Sequence, residues 1–242
     1  MPAEKAIALV VRGTDWSETS RITTLFTREF GKVRALAKGG RRLKSTFDAG
    51  FDLLSVIDVV FLRSRSGGLD LLTEARLAER FPELRTNLRA LYVGYYIAEL
   101  LAEGTQDYDP HPVLFDSALA SLRNLGNSAD LRVEASRFEL VWLQELGYGP
   151  RLETCAGCDT ESFEDVQYSP AVGGVLCPVC AATARDTRRL GLAAWDALKC
   201  LAAGMNPQVP EPAMRDVRSL LGQLVSQVLG KRPRLLAYVD AP

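Results

Sequence analysis

The sequence predicts an α+β multidomain chain: a small β-barrel first, a helical remainder after it, and a short metal-stapled segment set among the helices. Three observations lead there. Five short runs of strand-like composition crowd the first ~75 residues, and apolar positions change to helical spacing from Pro82 onward. Four of the five cysteines form two C-x2-C pairs, Cys155/Cys158 and Cys177/Cys180.

Taken in order, residues 6–12 form an apolar run that gives way to the turn residues Gly13, Thr14 and Asp15, the pattern of a strand and its exit. Residues 20–29 are rich in Thr, Ile and Phe, which suits a second strand, and Phe30-Gly31 connects it tightly to a third at 32–37. In that third strand apolar and basic positions alternate, so one face is wet. Residues 55–62 and 69–75 flank the turn at 64–68 and supply two more strands. Five strands in this length fit a small barrel, and the OB type, which binds oligonucleotides with an open face and its loops, is one solution. SH3-like barrels and small sandwiches share the count.

From Pro82, Leu84, Leu88, Leu91, Tyr92, Tyr95, Leu100 and Leu101 follow helical intervals as far as Gly104. A second helix is expected over 111–125, behind a proline-flanked turn. Phe138, Val141, Trp142 and Leu146 make the stripe of a third, closed by Gly147-Tyr148-Gly149-Pro150. Beyond the cysteines, 193–201 reads as helix, and Met214, Val217, Leu220, Leu221, Leu224, Val225 and Val228 mark one face of a long C-terminal helix that packs on the earlier ones.

A length of 242 residues with 47% hydrophobic content is ample for real cores. Net charge is only −1, so attraction to a polyanion must come from local clustering and not from the field of the whole molecule. The start of the chain lacks a signal pattern and no apolar run approaches the roughly 20 residues of a membrane span, so a cytoplasmic protein without membrane attachment is expected. That compartment also suits cysteines that bind metal rather than form disulfides.

Two stretches carry chemistry. Residues 31–47 hold Lys32, Arg34, Lys38, Arg41, Arg42 and Lys44, no acid, and the flexible pair Gly39-Gly40. Such a cluster on a strand and its following loop suits a phosphate backbone, which it would contact without reading sequence; a merely solvated hairpin is the plain alternative. The two cysteine knuckles, with eighteen residues between them, have the spacing of a four-cysteine zinc ribbon. Four thiolates leave zinc no open position for water, so one structural Zn2+ per chain is expected, bracing a segment with little core of its own. A thioredoxin-like redox pair would need a βαβ setting and would leave the second pair unexplained. Cys200, alone on an apolar helix, is expected to be buried and inert.

Material for catalysis is scant. The one histidine, His111, sits in a proline-flanked turn, and no Walker loop, Gly-x-Ser-x-Gly elbow or dinucleotide fingerprint is present. Carboxylates are scattered: Asp52, Asp58 and Asp70 could meet in a barrel to serve a metal-dependent nuclease, but nothing requires it. A binding protein is expected rather than an enzyme. A zinc-ribbon scaffold or a transcription-type factor meeting protein or RNA remains the rival binder.

Several runs add to this order of parts: the strand at 6–12, the run Thr24-Leu25-Phe26-Thr27-Arg28-Glu29-Phe30-Gly31-Lys32, and Ala37-Lys38-Gly39-Gly40-Arg41-Arg42-Leu43-Lys44-Ser45. They continue through Phe115-Asp116-Ser117-Ala118-Leu119, Leu143-Gln144-Glu145-Leu146-Gly147-Tyr148-Gly149-Pro150, the first knuckle, and Gly173-Gly174-Val175-Leu176-Cys177-Pro178-Val179-Cys180. Together they give the chain a close resemblance to the bacterial RecO DNA-repair family. The resemblance implies an OB-fold at 1–80, a helical domain at 81–150 and 183–242, and a zinc ribbon inserted at 151–182, with Cys155, Cys158, Cys177 and Cys180 as ligands. It further implies a recombination mediator that binds single- and double-stranded DNA, anneals complementary strands, and acts with RecR and single-strand-binding protein to load RecA. Gly40, where the family's basic loop commonly has Ala, is a local departure that keeps a small residue.

Overall fold

The computed structural model describes residues 3–39, 47, 51–65, 67–161 and 164–240. Five strands, β1 (Ala3–Asp15), β2 (Arg21–Thr27), β3 (Gly31–Ala37), β4 (Val56–Leu62) and β5 (Asp70–Glu79), close into a barrel of order β1-β2-β3-β5-β4. Only β3 and β5 run parallel. This is the OB-type closure. The alternation expected of the basic strand holds, because Val33, Ala35 and Ala37 enter the barrel core with Val10, Leu25, Ile57 and Phe61. β1 is longer than the apolar run at 6–12, since it pairs with β2 on one edge and β4 on the other, and a bulge between Val10 and Arg12 lets it bend between them.

The helical pattern that begins at Pro82 is broken in two, as α1 (Pro82–Thr86) and α2 (Leu88–Gly104). Asn87 causes the break: its side-chain oxygen accepts from the N–H groups of Arg89 (3.1 Å) and Ala90 (3.2 Å), so it caps α2 instead of continuing α1. α3 (Pro112–Leu125) follows, and Phe115 on it stacks on Phe26 of β2. The α2–α3 connection completes the barrel. Parallel pairing of β5 with β3 covers only Ala35, Leu36 and Ala37, and lower down Asp107 bridges to Lys32 while Tyr108 N–H donates to the Lys32 carbonyl at 3.0 Å. Tyr108 packs against the barrel core, its hydroxyl donates to buried Asp70, and the Arg63 guanidinium lies 3.8 Å from its ring centre. Gly31, at φ +67°, is needed at this junction: a Cβ there would lie 1.9 Å from the Asp109 carbonyl oxygen.

These contacts put α1, α2 and α3 in one compact unit with the barrel, Met1–Ser128, although the change of period falls near residue 81. The second unit, Ala129–Pro242, contains α4 (Leu131–Glu145), β6 (Val166–Ser169), β7 (Gly174–Leu176), α5 (Pro178–Ala181), β8 (Arg188–Leu190), α6 (Leu192–Ala202), α7 (Glu211–Leu229) and α8 (Leu236–Val239). α4, α6 and α7 pack on one another as the apolar stripes require. The three short strands form a sheet of order β7-β6-β8, which carries the cysteine segment as far as Leu190. Cys200 on α6 is half-buried rather than buried. No helix among the described residues is long and apolar enough to cross a membrane.

Candidate nucleic-acid interface and candidate metal centre

The four sulfurs of Cys155, Cys158, Cys177 and Cys180 lie within 4.8 Å of one another. Local structure converges them. In the first knuckle Asp159 N–H donates to the Cys155 carbonyl at 2.9 Å, with Asp159 itself in the left-handed region at φ 62°. Ala156 N–H then docks the knuckle on the Val175 carbonyl of β7 at 2.8 Å. In the second, Cys177 is the N-cap of α5, Pro178 opens that helix, and Cys180 lies on its first turn. Gly157 is required within the first pair, because a Cβ there would come to 2.9 Å from the Cys180 sulfur of the second.

Tetrahedral zinc with bonds of about 2.3 Å needs sulfurs roughly 3.8 Å apart, and Cys158 and Cys177 are separated by 3.7 Å. The Cys155 sulfur accepts N–H bonds from Gly157 (3.4 Å) and Cys177 (3.3 Å), the donors a thiolate wants. Burial acts to raise this thiol, but the N–H groups of Cys177, Gly157 and Cys158 outweigh it and hold Cys155 down at about 6. Cys180 is pushed up to about 12, chiefly by its hydrogen bond with Cys158 and then by burial. Four thiolates this close repel, and a central divalent cation removes the conflict. The cysteines are thus positioned to hold a metal ion, and donor set and spacing are compatible with zinc.

The basic residues divide. Lys38, in the turn that leaves β3, is exposed and has no ion-pair or hydrogen-bond partner among the described residues. Arg34 is exposed and pairs with Asp107 at 2.8 Å. Lys32 is turned inward. Its ammonium donates to the carbonyls of Ala102 (3.0 Å) and Thr105 (2.5 Å) and lies 3.5 Å from Asp107, so it satisfies the open C-terminal end of α2, and only 12% of its side chain is exposed. Arg41, Arg42 and Lys44 lie outside the described residues. Arg12 is a cation that sequence reasoning missed: it faces Thr24 across β1–β2, and Thr24 faces Arg34 across β2–β3, which lines the two arginines up on one row. Only the register, with its bulge, reveals this.

The nuclease arrangement does not form. Asp52 pairs with Arg85 at 3.3 Å, Asp58 of β4 stands opposite Ile7 of β1, and buried Asp70 accepts from Tyr108 and from Ser64 N–H at 2.8 Å. Among the described residues the cysteines are the only group of His, Cys, Asp or Glu close enough to share a metal. His111 is the N-cap residue of α3, with its Nε2 3.3 Å from Asp109.

A closed five-strand barrel of OB order, followed by a helical region with four cysteines positioned to hold a metal ion, defines the class as multidomain proteins built on an OB-type barrel. Residues 1–81 match the family model described as Recombination protein O N terminal, and residues 85–237 match Recombination protein O C terminal. Similar proteins include the DNA repair protein RecO of Rhodopirellula baltica, 35% identical over 96% of this chain and 97% of that one. Those of Roseiflexus sp. (31%; 96% and 83%) and Anaeromyxobacter dehalogenans (32%; 99% and 97%) also match. The chain belongs to the RecO family of DNA-repair proteins.

Proposed function

We propose that this chain is a non-catalytic recombination mediator of the nucleoid, in the cytoplasm. It binds single- and double-stranded DNA, anneals complementary strands, and with RecR helps to load RecA onto DNA coated with single-strand-binding protein. Family membership along nearly the whole chain carries this reading. Annealing needs no covalent chemistry: cations that neutralise phosphates on two strands lower their mutual repulsion and let pairing find its register. Lys38, Arg41, Arg42 and Lys44 are the main phosphate contacts, with Arg34 beside them, while Lys32 serves the end of α2. The cysteine site holds one structural zinc per chain. When bound, that ion supplies a cross-link between the two knuckles and no reaction step.

The test is annealing of complementary strands coated with single-strand-binding protein, with and without RecR. The parent protein should accelerate annealing, and Arg41→Glu/Arg42→Glu, confirmed folded, should not. Partner binding without annealing would point to a scaffold, preference for RNA to a transcription-type factor, and degradation of labelled DNA on addition of magnesium to a nuclease; each would displace the mediator reading.

A further inference from the structure

The outer surface of β1, β2 and β3 is divided into a covered half and an open half. Residues directly opposite in an antiparallel pair share a face, so the register assigns each row. Val10–Leu25–Val33 points into the barrel. The outward row Leu9–Phe26–Lys32 is covered, with Leu9 and Phe26 fully buried where α2 and α3 pack on it. The next outward rows are open. They are Arg12–Thr24–Arg34, with both arginines exposed and Thr24 buried between them, and Thr14–Ile22–Leu36, with its two apolar members half-buried. Alternation carries the same face to Trp16, one residue past Asp15, and to Lys38, one residue past Ala37.

Trp16 is the tryptophan the fold does not use. Trp142 is fully buried and Trp195 is 7% exposed with its indole N–H on the Leu152 carbonyl, whereas Trp16 is 66% exposed. An isolated exposed aromatic is ordinary on any surface. The turn that carries this one is ordered at its backbone, because Trp16 N–H and Ser17 N–H both donate to the Ser20 carbonyl (3.0 and 3.2 Å) and Ser20 N–H donates back to the Ser17 hydroxyl (3.1 Å). Trp16 also shares its face with cations: Arg12 and Lys38 have no acidic partner among the described residues, and Arg34 shares Asp107 with Lys32. Of the acids near it in sequence, Asp15 pairs with Arg21 at 3.4 Å, and Glu18 lies two residues after Trp16.

We propose that Trp16 is a stacking platform for a base of single-stranded DNA, whose backbone runs over the open face past Arg12, Arg34 and Lys38. This rests on the DNA-binding reading above and deepens it. An exposed indole on one sheet face with guanidinium and ammonium groups is the composition of a single-strand site, where bases stack on aromatic rings and cations follow the phosphates. Duplex DNA keeps its base faces stacked internally and gains nothing from the indole. A single-strand-specific contact of this kind lets the protein hold an unpaired strand with its pairing edges free.

The experiment measures affinity of the full chain for labelled oligothymidylate and for a labelled duplex of equal length across a salt series, with the parent, Trp16→Ala, Trp16→Phe and Arg41→Glu/Arg42→Glu. Trp16→Ala should weaken oligothymidylate binding by between about 5-fold and about 150-fold, leave duplex binding unchanged and preserve the salt slope. Trp16→Phe should restore part of the loss, and the parent's indole fluorescence should fall on adding oligothymidylate. Equal binding by Trp16→Ala and parent, with loss in the arginine variant, would overturn the stacking site and keep the DNA-binding reading; Trp16 would then be free to serve a protein partner. Equal losses on single strand and duplex would also overturn it. Failure of the parent to bind either DNA would remove both.

Discussion

Arg218 and Glu139 are buried ions that face one another inside the second unit. Arg218 is 4% exposed and Glu139 fully buried; the guanidinium donates two bonds to the Glu139 carboxylate, one of them 2.9 Å, and others to the Ser136 hydroxyl (3.1 Å) and to Asp240 (2.9 Å). This joins α4, α7 and the end of the chain through one side chain. Desolvation of two ions offsets most of their attraction, so the pair as a whole adds little stability, but removing Glu139 takes the fully buried carboxylate from Arg218, which keeps its ion pair with the more exposed Asp240. Glu139→Ala should therefore destabilise the second unit by about 3 kcal/mol in chemical denaturation, the low end for a broken buried pair because Asp240 remains, and Glu139→Leu/Arg218→Met should recover much of that loss. A single-variant cost below about 1 kcal/mol, the scale of an exposed pair, would mean that water reaches the site.

At the scale of elements, the metal segment has the least core and the strongest local signal. Its apolar cluster comprises Cys155, Leu176, Cys177 and Ala181 with half-buried Ala156, Cys180 and Ala184 against them, and the sheet beside it is three strands of three or four residues. Structural zinc contributes on the order of 10 kcal/mol in comparable segments, far more than this cluster can. Cys155→Ala should lose bound metal, read by elemental analysis, and lower the melting temperature of the second unit, while the barrel keeps its affinity for DNA. Stoichiometric zinc and an unchanged melting temperature in that variant would show that the remaining three sulfurs suffice. The knuckles were legible because a C-x2-C pair is a local device: turn chemistry and spacing alone aim both sulfurs. β6, β7 and β8 were not, since strands this short carry too few alternating positions to stand out. The barrel strands were legible by composition, but the role of Lys32 was not, because the carbonyls it meets belong to residues seventy and more positions away. Asn87 illustrates the same limit, a polar residue within an apolar period whose side chain wins the competition for the N–H groups of Arg89 and Ala90.

At the scale of the whole molecule, the families and the packing divide the chain differently. The two family models meet between residues 81 and 85, where strands give way to helices, yet α1, α2 and α3 belong to the barrel's compact unit. Arg123 on α3 grips Glu79 of β5 (2.8 and 2.6 Å) and Arg28 grips Asp116 (2.9 Å), so a barrel cut at residue 81 would lose these ties together with the Tyr108 plug. DNA binding is best measured on the intact chain for that reason. A net charge of −1 gives the molecule no long-range attraction for DNA, and affinity must arise from cations close to the phosphates. Four contacts, from Lys38, Arg41, Arg42 and Lys44, predict a slope of log K against log salt near −3 on single strands; adding Arg12 and Arg34 takes it to about −4. Arg41→Glu/Arg42→Glu should flatten the slope by at least about 1.4, the share of the two contacts removed, whereas Trp16→Ala should shift the line without tilting it. A parent slope shallower than about −1 would leave fewer than two phosphates engaged and would refute the basic strand and its loop as the main contact.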